Sequence, residues 1–284
     1  MTDKIRDIEK FKKMLIAALM AIIEESGEDL QVIERKMTKV NEVLQCINIE
    51  PAGDEPSCSP NFYIEEYYGM YEEGRSIESI AAIIMDLYRE NKMCRHIRNA
   101  DPADRDNADR VILMLINSKG NEDLLKKIPH RDFLDLTVIY RVVLSSDEDS
   151  IMSYILTDAI LESWEMTEEE IYERALVQTD SILPANDTAE NNIVIFTNAS
   201  GVNGDSAFLM HRRLERAAEW FGGDFYIVPS SINELIGIPV NGASENAVRQ
   251  AVIHSVDNGI VEPSEWLSYS LYRYEKDKGR VIII

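Results

Sequence analysis

The sequence predicts an α+β protein, with mixed or antiparallel sheets and helices, ending in a ferredoxin-like β-α-β-β-α-β module. Three observations carry this. Of 284 residues 45% are apolar, enough to bury a sizeable core. Helical spacing and strand-like apolar runs alternate along the whole chain. From Asn192 onward the order of elements is strand, helix, two strands, helix and strand, with one further strand behind them.

The first helix follows from Ile5, Ile8, Phe11, Leu15, Ala18 and Ile22, which recur every three or four residues as one face of an amphipathic helix would. The same segment superficially resembles a signal peptide. Asp3, Asp7 and Glu9 interrupt its basic part, and the apolar run is shorter than the roughly 20 residues needed to span a bilayer. Residues 30–35 and 42–49 read as paired strands with a turn near Asn41, and 51–60 as a loop rich in Pro, Ser and acids. Two helices follow, 63–73 closed by Gly74 and 77–91 opened by Ser76. Tyr63, Tyr67, Tyr68 and Tyr71 sit at helical spacing and read as a core or contact stripe.

The polar stretch 99–107, with Asp-Pro-Ala-Asp-Arg-Asp at its centre, can bury little and reads as a linker. It divides the chain into an N-terminal α+β region, 1–100, and a central and C-terminal α+β region, 108–284, ferredoxin-like from about residue 192. Beyond it come a strand at 110–116, a short helix capped by Asn121, one long strand at 131–144 partnered by 150–156, and a helix begun by Thr157. Thr167-Glu-Glu-Glu170 is a capping box for a further helix. A strand then ends at Phe196 and a helix spans 206–221, with Asp205 or Ser206 as its N-cap and Gly222 and Gly223 at its end. Strands at 225–228 and 235–240, a helix at 244–258 and a hairpin turning at Lys278-Gly279 complete the reading.

Charge narrows the function classes. The formal net charge is −22, which repels nucleic-acid phosphates and anionic lipid, so neither direct nucleic-acid binding nor membrane binding is expected. Between Val142 and Met210 there are 14 acidic residues and one basic residue, Arg174. Such a run solvates a helical surface, and it also offers a docking face to a basic protein partner. Cys46, Cys58 and Cys94 are odd in number and lack Cys-x-x-Cys spacing, which points away from disulfides and zinc and toward the reducing cytoplasm. His96, His130, His211 and His254 show no metal-ligand pairing, and no cofactor fingerprint is present.

Small polar residues gather where two strands end. Thr197, Asn198, Asn203 and Gly204 follow one, and Ser230, Ser231 and Glu234 follow the other, so these seven are the candidate ligand pocket. The helix start near Asn203 and Gly204 could also hold an anion. Gly204-Asp-Ser206 is similar to an esterase signature, without the His and acid that such a serine needs. His130, Arg131 and Asp132 match a kinase triplet, but Thr137 stands where the metal-binding Asn would be. His130, Arg131 and Asp135 are therefore read as a structural polar cluster, with Arg131 paired to a carboxylate and His130 bonded to backbone. No catalytic residue is assigned.

Five segments taken together resemble a family of bacterial proteins, common in Gram-positive gut bacteria, that carries a domain-of-unknown-function label. They are Pro-x-x-Tyr-Ile-Glu-x-Tyr-Tyr from Pro60, Ile-Pro-His-Arg-x-Phe-Leu-Asp-Leu from Ile128, 167–173, Thr197-Asn198 with Asn203-Gly204, and Gly-Asp-Phe-Tyr-Ile-Val-Pro-Ser-Ser-Ile from Gly223. The resemblance implies a cytoplasmic protein without an established activity and transfers no catalytic residue. Asn233 stands where the family tends to have His, a departure that speaks against a histidine mechanism there. The sequence thus points to a non-enzymatic binding or regulatory protein with an acidic face. The competing reading is a hydrolase of a small polar substrate, using Thr197, Asn198, Ser230, Ser231 and Glu234. Oligomeric state has no signature in the sequence.

Overall fold

In the computed structural model of the chain, residues 7–53, 60–90, 101–146 and 151–284 are described. Ile5, Cys58, Cys94, His96 and the acids Asp147, Glu148 and Asp149 lie outside them, as do parts of the 51–60 loop and the 99–107 linker. The chain is α+β and divides into two compact units, one of Met1–Lys39 with Val43–Asp101, the other of Val40–Glu42 with Pro102–Ile284. Among the described residues no helix is long and apolar enough to cross a membrane.

In the smaller unit, α1 (Ile8–Ser26) starts where the Asp7 carboxylate accepts from the Glu9 N–H at 2.9 Å and stops at Gly27. Phe11, Leu15, Leu19 and Ile23 form its buried face. That face shares a core with Ile47 and Ile49 of β2 (Glu42–Pro51) and with Ile80, Ala81 and Ile84 of α3 (Ile77–Glu90). The sheet order is β1 (Leu30–Lys39), β2, β3 (Phe62–Tyr63), and β3 runs straight into α2 (Ile64–Glu72). The tyrosine stripe belongs to the core: Tyr68 and Tyr71 meet Phe11 with ring centroids 5.3 and 5.4 Å apart, while Tyr67 is buried.

The larger unit holds two antiparallel sheets. In the first, β6 (Leu136–Ser146) pairs along one edge with β4 (Val111–Asn117) and along the other, end to end, with β5 (His130–Phe133) and β7 (Ile151–Ile155). The single strand expected over 131–144 is therefore a hairpin. Leu134 takes left-handed backbone, φ 58°, at the turn, and Asp135 beside it is tethered by distant hydroxyls, which holds the reversal in place. Helix α4 (Glu122–Leu125) is short, and α5 (Asp158–Ser163) and α6 (Glu168–Ile182) follow the sheet. The capping box of α6 is formed: the Thr167 hydroxyl accepts from Glu170 N–H at 3.3 Å and the Glu170 carboxylate accepts from Thr167 N–H at 2.8 Å.

The second sheet has the order β13 (Arg280–Ile283), β12 (Tyr272–Glu275), β10 (Phe225–Val228), β11 (Leu235–Pro239), β9 (Ile193–Phe196), β8 (Thr188–Glu190). β9 and β10 flank β11, which runs antiparallel to both, so the split β-α-β pairing of a ferredoxin-like module is present. The fourth strand departs from that pattern. β12 pairs with β10, where the ferredoxin order would place it on β9, and β8 occupies the edge of β9 instead. The two helices also lie on opposite faces: α7 (His211–Phe221) shares a core with Phe225 and Ile227, and α8 (Glu245–Asp257) with Tyr226. Successive residues of a strand point to opposite faces, and Phe-Tyr-Ile-Val is apolar on both, so β10 needs a cover on each side.

A second correction concerns 206–221. Gly204–Leu209 is a 3-10 turn and the α-helix begins only at His211, after Met210 breaks the backbone at φ −92°, ψ 84°. Asp205 and Ser206 are buried in this turn and do not cap a long helix. Between the sheets, Phe225 gathers Phe196, Phe221 and Tyr274 at centroid distances of 6.1, 5.4 and 5.4 Å. Gly237 of β11 makes room for them, since a Cβ there would lie 3.2 and 3.3 Å from the Phe196 and Phe225 rings.

Candidate functional site

The two strand ends do converge, and Asn233 is what joins them. Its side-chain oxygen accepts from the Asn203 N–H at 3.3 Å, its carbonyl accepts from the Thr197 hydroxyl at 3.3 Å, and its amide donates to Glu265 at 2.9 Å. Asp205 N–H donates to the Ile232 carbonyl at 3.3 Å, closing the same knot. Gly204 is required at the crossing, because a Cβ would fall 2.2 Å from the Asn233 carbonyl oxygen. Asn203 takes left-handed backbone, φ 55°, which an Asn tolerates.

The remaining candidates turn inward to their own loops. Asn198 is buried, donating to the Val202 carbonyl and accepting from Ser200 N–H at 3.0 Å. The Ser231 hydroxyl accepts from Asn233 N–H at 3.0 Å while Ser231 N–H donates to the Glu234 carbonyl at 3.1 Å. Ser230 Oγ donates to Glu234 Oε1 at 3.0 Å, and both residues are half-buried. A hydroxyl on a carboxylate is the first contact a serine nucleophile needs. The Asn198 and Ser231 side chains act as loop clasps bonded to local backbone, and the Thr197 hydroxyl ties its loop to the other through the Asn233 carbonyl.

His130, Arg131 and Asp135 share one hairpin but point to different neighbours. His130 Nδ1 lies 2.9 Å from the Ile128 carbonyl. Arg131 donates to Glu168 through Nε and Nη2 at 3.1 and 2.8 Å and to Glu169 at 2.6 Å, and lies 3.9 Å over the Tyr172 ring. Those carboxylates hold the guanidinium above its ordinary range. The Tyr140 hydroxyl also donates to Glu168, and burial pushes that phenol up. Asp135 accepts from Ser268 Oγ at 2.9 Å, Ser270 Oγ at 2.7 Å and Tyr272 Oη at 2.5 Å, anchoring the β5–β6 turn to the approach to β12.

Two groups escaped the sequence reading. Asp205 is fully buried, and its Oδ2 accepts from Leu115 N–H at 2.6 Å while Oδ1 has no partner. Leu115 lies on the outer edge of β4, so this carboxylate satisfies a donor that no strand reaches, as the Thr179 hydroxyl does for Leu113 N–H at 3.1 Å. Burial raises the Asp205 carboxyl well above its ordinary value. The other group is Arg213, 2% exposed, which donates through Nε at 3.1 Å and through Nη2 to Asp187, and through Nη2 to the Thr197 carbonyl at 2.6 Å. This pair walls a cleft of about 330 Å³ that also includes Phe196, Arg216 and Trp220. Asp205 read as an N-cap and Arg213 as one arginine of a predicted helix, and neither gave a hint of these roles, since the partners lie in other elements.

Among the described residues no group of three His, Cys, Asp or Glu side chains is placed to hold a metal ion. No curated protein and no solved structure matches the chain. A family profile does, over residues 8–189 and 185–276, and with that coverage the chain belongs to the family of unknown function DUF5688.

Proposed function

We propose that this chain is a cytoplasmic binding protein that docks a basic protein partner on the surface of α5 and α6. The observation that carries the reading is the exposure of Asp158 and Glu162 on α5, Glu169, Glu170, Glu173 and Asp180 on α6, and Glu165 in the link between them. Arg131 neutralises part of this surface through Glu168 and Glu169, Arg213 comes within 3.8 Å of Asp180, and Arg174 of α6 is itself paired with Asp109. The rest faces solvent, where a field of one sign steers an oppositely charged protein and speeds its association. The strand-end loops support a binding role over catalysis, because most of their side-chain hydrogen bonds are spent on neighbouring backbone.

The test is a titration with an oligolysine peptide. Neutralising Glu162, Glu165, Glu169 and Glu173 to Gln should weaken binding and flatten its salt dependence, while neutralising the exposed Glu24, Glu25, Glu72 and Glu73 of the smaller unit should do much less. Equal loss from both sets would show that net charge alone attracts the peptide and would sink the reading.

A further inference from the structure

We propose that the cleft beside α7 is a binding site for a small aromatic carboxylate. This goes beyond the acidic-face reading and uses different residues. At about 330 Å³ the cleft has the size of a small ligand pocket. Arg213, Arg216, Ala217 and Trp220 recur at three, four and seven residues and so present one face of α7 to it. Val194 and Phe196 of β9 supply apolar lining, and residues 185–189 form the opposite wall.

The charges in this cleft have distinct tasks. Arg213 is buried with its donors committed to Asp187 and to the Thr197 carbonyl, so it fixes the wall and neutralises Asp187. Asp180 lies 3.8 Å from Arg213 Nη1 and does not line the cleft. Arg216 is 67% exposed at its side chain and comes no nearer to Asp187 than 4.0 Å. Its guanidinium, held by that loose ion pair alone among the described residues, keeps its forked donors open to a ligand. A forked guanidinium matches a carboxylate in two parallel hydrogen bonds.

Trp220, one turn beyond Arg216, is 48% exposed, an unusual position for the largest apolar ring. Its ring packs edge-on against Phe221 with centroids 4.8 Å apart, which limits its freedom before any ligand arrives. An inorganic anion would use Arg216 and waste the indole. A neutral hydrocarbon would use the indole and leave the guanidinium unanswered. A ligand carrying a ring and a carboxylate about one helical turn apart satisfies both.

Calorimetry and ligand-observed NMR with 2-naphthoate test the proposal. One saturable site is expected, weakened roughly tenfold by Arg216→Gln and by Trp220→Ala, since one charge-assisted contact or one aromatic contact is worth about that much. The neutral analogue 2-naphthamide should bind roughly tenfold more weakly and be indifferent to Arg216→Gln. Arg212→Gln, exposed and outside the cleft, should leave naphthoate binding unchanged. Both cleft substitutions fall on exposed side chains, and a melting curve for each variant confirms folding. Absence of saturable binding at millimolar naphthoate, binding that survives both cleft substitutions, or equal weakening by Arg212→Gln would overturn the site.

Discussion

At the edge of β4, Asp205 is buried against a backbone N–H and has one oxygen without a hydrogen-bond partner among the described residues. On the β12–β13 hairpin, Glu275 is shielded but lies closer to solvent, and it accepts from Arg280 at 2.9 Å, Lys278 at 3.0 Å and Arg273 at 3.2 Å. The Arg280 contact, with Lys278 beside it, holds the Glu275 carboxyl down at about 2. For Asp205 burial prevails over the backbone N–H contacts and over the attraction of Arg141, and the carboxyl rises. Arg141 itself donates to Ser153, at 3.0 Å to the hydroxyl, and its own burial lowers it. The two acids thus differ in both respects: Asp205 is fully enclosed with no cation at contact distance among the described residues, whereas Glu275 lies near the surface and is met by three. Burial and the partners within hydrogen-bond reach together set a carboxylate's state: burial prevails at Asp205 and the cations prevail at Glu275.

The contrast between the two acids is most vulnerable at Asp205. Asp205→Ala leaves Leu115 N–H without an acceptor and opens a small void, and should cost about 3 kcal/mol in urea unfolding. Asp205→Asn keeps an acceptor and removes the charge. Because the folded chain holds the Asp205 proton more tightly than the unfolded chain, the contribution of Asp205 is complete below the unfolded value of about 3.9 and is lost as pH rises through the higher folded value. Wild type should therefore lose stability relative to Asp205→Asn as pH rises from about 4 toward 8. Parallel pH curves for the two proteins would mean that Asp205 carries its charge at no cost.

Gly204 bears on the same acid, because it lets the loop carrying Asp205 cross Asn233. Gly204→Ala places a methyl 2.2 Å from a backbone oxygen and should cost about 2 kcal/mol. Gly69, inside α2 with nothing within 4 Å of where an added methyl would lie, is the control: Gly69→Ala should stabilise by up to about 1 kcal/mol. Thermal melts of both variants decide it, and a Gly204→Ala protein as stable as wild type would show that the crossing is slack.

The smallest expected effect lies at Glu275, whose three cations are themselves partly exposed. Its carboxyl is depressed, so its contribution is present above the unfolded value of about 4.3 and is lost as pH falls through about 2. Wild type should melt above Glu275→Gln near neutral pH, and the gap should close in acid, opposite in direction to the Asp205 series. A gap that is constant across the acid range would mean the cations stabilise the glutamine equally well.

Much of the local structure was legible in the sequence. Ile8, Phe11, Leu15, Ala18 and Ile22 announce α1 by spacing, although its buried face turns out to run through Leu19 and Ile23; Thr167 and Glu170 announce the start of α6, and the alternation of such segments with apolar runs fixes the α+β class, because each signal acts within a turn or two of backbone. The apolar run Phe225–Val228 also held the cue that β10 is covered on both faces. The features that were not legible depend on partners far away along the chain. Asp205 meets Leu115 across 90 residues and Asp135 meets Ser268 across 133, so an apparent N-cap became the cover of a strand edge and one expected strand folded back as two. The place of β12 on β10 was settled in the same way, since both edges of a split β-α-β unit offer equivalent hydrogen bonds and only the packing of α7 and α8 on opposite faces selects between them.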